Sequence, residues 1–202
     1  MIRIDLAADL TDEAAVLSGY SMLTSDSKRP APTGRLSAAA LIERAVPAAR
    51  LDDVEIADAN LRSRDLGHTS WQRAVLVDCD FDRSVLVAAD FTEAKIDQVS
   101  FRECILSEAN FFGADLVSSF LERASLVGAD FRGAVISNCE LDGVVARSAN
   151  FESALLEDSR LVGADLSRAR VTETTTLRRC DLTGACLDGV ELAKATVIDC
   201  KF

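Results

Sequence analysis

Large apolar residues fall at every fifth position over most of the chain. The series runs Leu51, Ile56, Leu61, Leu66, Trp71, Leu76, Phe81, Leu86, Phe91, Ile96, Phe101, Leu106, Phe111, and holds without a break to Val171, with Ala146 its one small member. An extra residue enters within Thr172–Thr176, and the series resumes at Leu177, Leu182, Leu187, Leu192, Val197 and Phe202. A second series lies two residues before the first and is small: Ala59, Ala74, Cys79, Ala89, Ala94, Cys104, Ala109 and onward. Asp or Asn often stands between the two, as at Asp90, Asn110 and Asp130, and Gly recurs two residues after the large member, as at Gly113, Gly128 and Gly133.

A period of five fits neither an α-helix at 3.6 nor a plain strand at 2.0. In extended chain the large residue and the small one two before it point to the same side. If the chain then turns a corner that Gly tolerates, the next five residues repeat the arrangement on a new wall. Four walls return the chain above itself after twenty residues, about one strand spacing (~4.8 Å) higher. The large residues fill the shaft, and the small ones fit where the wall approaches the axis.

The repeating unit A-(D/N)-L-x-x, as in Ala89-Asp90-Phe91 and Ala129-Asp130-Phe131, resembles the pentapeptide repeat family from about residue 49 to Phe202. That resemblance implies an all-β fold, a right-handed quadrilateral β-helix of about seven to eight coils. It also implies a non-enzymatic protein. The best-understood members are bacterial quinolone-resistance and topoisomerase-protecting proteins, rod-like dimers whose acidic side imitates duplex DNA in the saddle of DNA gyrase. The resemblance thus implies a protein partner, DNA gyrase or topoisomerase IV, with protection from inhibitors, antibiotic resistance or self-immunity as the outcome, and a homodimer through the C-terminal coils. The projecting loops that some members need are missing from this sequence. A general interaction scaffold with another protein partner is the alternative.

Sorting the register onto four walls separates the surface chemistry. The first wall holds Trp71, Phe91, Phe111, Phe131 and Phe151 in successive coils, which predicts an internal aromatic ladder. The second is the most acidic, with Glu55, Asp58, Asp78, Asp97, Asp115, Glu157, Asp158 and Asp199; the first seven form the candidate acidic interaction face. The fourth is weakly charged and turns Val85, Val87, Ile105, Val127 and Val145 outward, a candidate apolar contact strip.

Both ends of such a coil need covering. Residues 1–36 read as an N-terminal segment and linker, with Ser25–Gly34 the most linker-like. Residues 37–48 read as a capping helix, with Ser37 at its N-cap and Pro47 as its stop. At the other end no helix follows the coil, so Leu192, Val197 and Phe202 form the candidate dimer end.

Composition narrows the chemistry. The 202 residues carry a formal charge of -11, which argues against direct binding to nucleic acid or an anionic membrane. No apolar run approaches the roughly 18 residues of a membrane span. The start Met1-Ile2-Arg3-Ile4-Asp5 does not read as a signal peptide, so a cytoplasmic location is expected. The 6 cysteines form no CxxC pair and His68 is the single histidine. Five of the cysteines occupy the small inward position and read as small hydrophobes. Cys180 and Cys200 stand one coil apart on the same wall. No cofactor, metal or catalytic constellation is expected.

Overall fold

The computed structural model describes residues 47–202 and the backbone of residues 2–4. Among the described residues nine short strands form one parallel sheet in chain order. They are β1 (Ile2–Ile4), β2 (Val54–Ala57), β3 (Val75–Val77), β4 (Lys95–Asp97), β5 (Asp115–Val117), β6 (Val135–Ser137), β7 (Leu155–Glu157), β8 (Thr176–Arg178) and β9 (Thr196–Ile198). From β2 to β7 and again from β8 to β9 partners lie twenty residues apart, as in Val75 against Lys95 and Lys95 against Asp115. This sheet is the second wall. The other walls are stitched by parallel bridges such as Ser70 with Asp90, Asp80 with Ser100, and Val85 with Ile105. The result is the expected four-sided right-handed β-helix, with about seven turns.

Each wall ends at a corner whose residue adopts a left-handed backbone. Ser63, Arg73 and Glu93 have φ of 54°, 56° and 57°, where Gly113 and Gly128 have 63° and 68°. That conformation costs a non-glycine residue about 1–2 kcal/mol. It recurs because it aims the corner N–H at the next coil: Ser63 donates to the Asp82 carbonyl at 2.9 Å and Arg73 to that of Thr92 at 2.8 Å. The Asp or Asn before each large residue serves the same bend. The side-chain oxygens of Asp80, Asp90, Asn110 and Asp130 accept the N–H two residues on, at 2.9–3.0 Å, an Asx-type turn that satisfies a donor the wall cannot use.

The shaft is packed by like residues over like. Trp71, Phe91, Phe111, Phe131 and Phe151 stack with centroid separations of 6.1, 5.0, 4.8 and 5.2 Å. A second stack joins Phe81 to Phe101 at 5.1 Å, and edge contacts of Trp71 with Phe81 and Phe91 with Phe101 tie the two together. Val171 succeeds Phe151 on the first wall, and the loss of ring volume leaves an apolar void of about 20 Å³ between Phe151, Leu156, Leu161 and Leu177. Its lining is aliphatic and aromatic apart from Thr175, whose hydroxyl is already bonded to the backbone, so a water there would find few partners. The extra residue near Thr175 shifts the register to twenty-one, with Leu155 against Thr176. The Thr175 hydroxyl closes the bulge by donating to the Phe151 carbonyl at 2.8 Å and accepting the Thr172 N–H at 3.0 Å.

The N-terminal end adds a feature absent from the repeat. From the stretch expected to be segment and linker, β1 pairs in parallel with β2, Ile2 against Val54 and Ile4 against Ile56, and so covers the first edge of the sheet. The expected capping helix, residues 37–48, lies outside the described residues apart from Pro47 and Ala48, which form a turn. At the other end a single 3-10 turn, Leu192–Lys194, precedes β9.

The aromatic ladder generates a stability prediction. Phe111→Ala removes a fully buried ring from the middle of the stack and should cost about 3–5 kcal/mol, read as a lower urea midpoint. A loss under about 1 kcal/mol would mean that the stack is not what holds the coils.

Candidate protein-interaction surface

With the inward positions committed to packing, recognition falls to the outward positions and the corners. On the second wall Asp58, Asp78, Asp97 and Asp115 are exposed and Glu55 is half-buried. The strand register places them in the first four coils, with Asp58 and Asp78 at the same corner position of successive coils and Asp97 and Asp115 at different positions across the wall. Asp58, Asp78, Asp97 and Asp115 form no ion pair among the described residues. Two bases stand in register with acids on this stretch, Arg3 of β1 beside Glu55 and Lys95 beside Asp115.

Glu157 and Asp158 share the wall, but two arginines of the following coil meet them. Arg179 reaches Glu157 at 2.7 Å and Asp158 at 2.6 Å, and Arg178 reaches Glu157 at 3.4 Å. The hydrogen bond from Arg179 leads the causes that hold the Asp158 carboxyl below the usual range. The second-wall acids without an ion pair among the described residues are thus Asp58, Asp78, Asp97 and Asp115 in the first four coils and Asp199 in the last. Between the acids stand half-buried Val75, Val77, Val117 and Val135, so the wall is aliphatic as well as acidic.

Many arginines elsewhere are engaged. On the first and third walls Arg73 pairs with Asp53 at 2.6 Å, Arg62 with Asp80 at 2.8 Å, Arg83 with Glu103 at 3.0 Å, and Arg160 with Asp142 at 2.7 Å. On the fourth, Arg147 meets Asp165 at 2.5 Å. Such exposed pairs each add only about 0–1 kcal/mol. Their larger effect is on the field, because each pair cancels charge locally on the first, third and fourth walls.

The fourth wall exposes Ile105 by 45% and Val127 by 38%, with Val85, Val87 and Val145 half-buried. Phe112, an outward residue of the first wall, is 44% exposed, with the Arg132 guanidinium 5.6 Å from its ring. The register could have flagged it as a large apolar side chain one place out of step. At the C-terminal end Leu192 is half-buried, while Val197, Ile198 and Phe202 are 36%, 38% and 59% exposed. His68 is exposed at a corner, with φ of 58°. The described residues include no cluster of three or more His, Cys, Asp or Glu able to hold a metal ion, and no helix long and apolar enough to cross a membrane.

Comparison with known proteins follows the same register. The family model for a pentapeptide repeat region matches residues 54–131, and that for pentapeptide repeats in 8 copies matches residues 139–175 and 147–202. The chain belongs to the pentapeptide repeat family. No curated protein matches it. Among solved structures it is similar to QnrB1, a plasmid-mediated fluoroquinolone resistance protein. A trypsin-treated variant of QnrB1 aligns with a TM-score of 0.60 at 21% identity, over 77% of this chain and 83% of that one. The full-length form aligns with a TM-score of 0.52 at 20% identity, over 77% and 84%. At this identity the likeness is one of fold between two pentapeptide repeat proteins.

Two carboxyls give a pH prediction. The Asp165 carboxyl is held down to about 2 by the Ser167 hydroxyl first and then by Arg147. The Asp181 carboxyl is held down to about 2 by the hydroxyl and N–H of Thr183, with Lys201 adding to them. A carboxylate whose pKa falls on folding stabilises the fold above its unfolded value, and that stability is lost as pH drops towards the folded value. The urea midpoint should therefore fall as pH is lowered from about 4 to about 2. Ser167→Ala should lessen the fall, and a midpoint flat across that window would contradict these assignments.

Proposed function

We propose that this pentapeptide repeat protein is a non-catalytic, cytoplasmic interaction rod whose acidic second wall engages the basic DNA-binding surface of DNA gyrase or topoisomerase IV, shielding the enzyme from inhibitors. The observation that carries the reading is that Asp58, Asp78, Asp97 and Asp115 are exposed in four successive coils of one wall with no ion pair among the described residues, while Arg62, Arg73 and Arg83 on the neighbouring walls are tied to other acids. A coil interval of about 4.8 Å is coarser than the ~3.4 Å between phosphates of one DNA strand. The wall therefore acts through its field and straight outline, without matching phosphates one by one. The shared fold with QnrB1, a fluoroquinolone resistance protein, supports the same direction.

We further propose a homodimer seated on the C-terminal coils. Residues at inward register positions are essentially unexposed through the shaft, yet Val197 and Phe202 are 36% and 59% exposed. A second copy on the same patch would extend the rod and bury that apolar surface. A contact through the fourth wall with some other protein is the second reading, favoured by exposed Ile105 and Val127.

Titrating the protein into a gyrase supercoiling assay with and without a fluoroquinolone tests the main reading. Protection or inhibition is expected at micromolar protein, and the double charge reversal Asp78→Lys with Asp97→Lys should weaken it on the order of tenfold or more. No effect up to tens of micromolar would sink the gyrase reading. If Ile105→Asp rather than the reversal abolished the effect, the fourth wall would be the contact. Analytical ultracentrifugation should give a dimer that Phe202→Asp converts to monomer, and a monomeric parent protein would count against the C-terminal interface.

A further inference from the structure

We propose that Cys180 and Cys200 form a peroxide-sensitive thiol pair whose oxidation to a disulfide fastens the last coil to the one before it. Going up the third wall, the small inward position is Ala59, Cys79, Val99, Ser119, Cys139, Ser159, Cys180 and Cys200. Nowhere else among the described residues do cysteines occupy this position in successive coils.

The backbone holds the two residues in register from both sides. Lys201 N–H donates to the Cys180 carbonyl at 2.9 Å, Arg179 N–H donates to that of Ile198 at 2.8 Å, and Asp181 bridges to Lys201. Neighbouring strands stand about 4.8 Å apart, inside the ~4.4–6.8 Å between α-carbons that a disulfide accepts. Each thiol donates to a carbonyl two residues before it, Cys180 to Arg178 and Cys200 to Ile198, both at 3.4 Å. Burial pushes the Cys180 thiol up to about 11, and the neighbouring Cys200 thiol adds to the shift.

Exposure divides the roles. Cys79, Cys104 and Cys139 are buried in the shaft, and burial raises their thiols to about 11, 12 and 11. Cys200 is only half-buried, so a small peroxide reaches it first. Its thiolate sulfur attacks one peroxide oxygen and the O–O bond breaks, which gives a sulfenic acid and, with the thiol proton, one water. The Cys180 sulfur then displaces the sulfenic oxygen. The S–S bond forms, and that oxygen leaves with the Cys180 proton as a second water. Two thiols lose two electrons and hydrogen peroxide takes them. The bond closes a loop of about twenty residues around the coil whose own inward residues, Val197 and Phe202, are the most exposed of the series.

The test exposes the full chain to stoichiometric hydrogen peroxide and maps its peptides without reduction. A Cys180–Cys200 link that dithiothreitol reverses is expected, retained in Cys186→Ser and lost in Cys180→Ser. Amide exchange over residues 192–202 should slow on the order of tenfold in the oxidised form. Three results would each overturn the proposal: intermolecular links through exposed Cys186 alone, sulfinic acid at Cys200 with Cys180 still a free thiol, or a Cys180–Cys200 link that leaves exchange unchanged. None of these outcomes depends on gyrase binding, and repeating them on Phe202→Asp removes the proposed dimer contact from the comparison.

Discussion

The twenty-residue parallel backbone ladder governs this molecule. Once Val75 is fixed over Lys95 and Lys95 over Asp115, every side chain lies over a counterpart one strand spacing away, and each position is judged by what stands above and below it. Inside, like over like is favourable, since rings stack at 4.8–5.2 Å from Phe91 to Phe151 and gain offset-stacking energy beyond burial alone. Outside, like charge over like charge is unfavourable. Alternation of Arg with Asp or Glu, as in Arg83 over Glu103 and Arg102 over Glu122, removes that penalty on most of the surface. Where no arginine answers, acid accumulates along one wall. Packing and surface chemistry are two readings of one register.

That constraint explains what could be read from the chain beforehand. Residues Leu51 to Phe202 announce the coil because each inward site imposes the same steric demand, and a demand repeated every five residues is visible in a single sequence. The aromatic ladder and the two flanking surface strips follow from counting. The strand β1 does not, because three residues far from the register carry no periodicity of their own, and only the exposed edge of β2 gives them a place. Summing charge by wall put Glu157 and Asp158 with the other acids. Pairing shows otherwise, because the extra residue near Thr175 brings Arg178 and Arg179 onto them from the next coil. Net charge is additive along a wall, whereas an ion pair depends on a twenty-one-residue offset that the sum discards.

The same regularity shapes what the protein can do. The bulge at Thr175 projects no loop, and the walls of the coil are flat, so they offer area and field in place of an enclosed cleft. A ladder of backbone hydrogen bonds also fixes the carboxylates before any partner arrives, which keeps the ordering cost of binding low. Exposed acids without an ion pair among the described residues, set beside aliphatic side chains, are the surface on which the proposed docking to a basic groove rests.

The salt dependence of binding to purified gyrase, measured together with competition by linear duplex DNA, tests this account most directly. Binding through the acidic wall should weaken steeply as potassium chloride rises from about 50 to about 300 mM, and duplex DNA and the protein should exclude one another. Affinity indifferent to salt, or a complex that holds DNA and this protein at once, would contradict it.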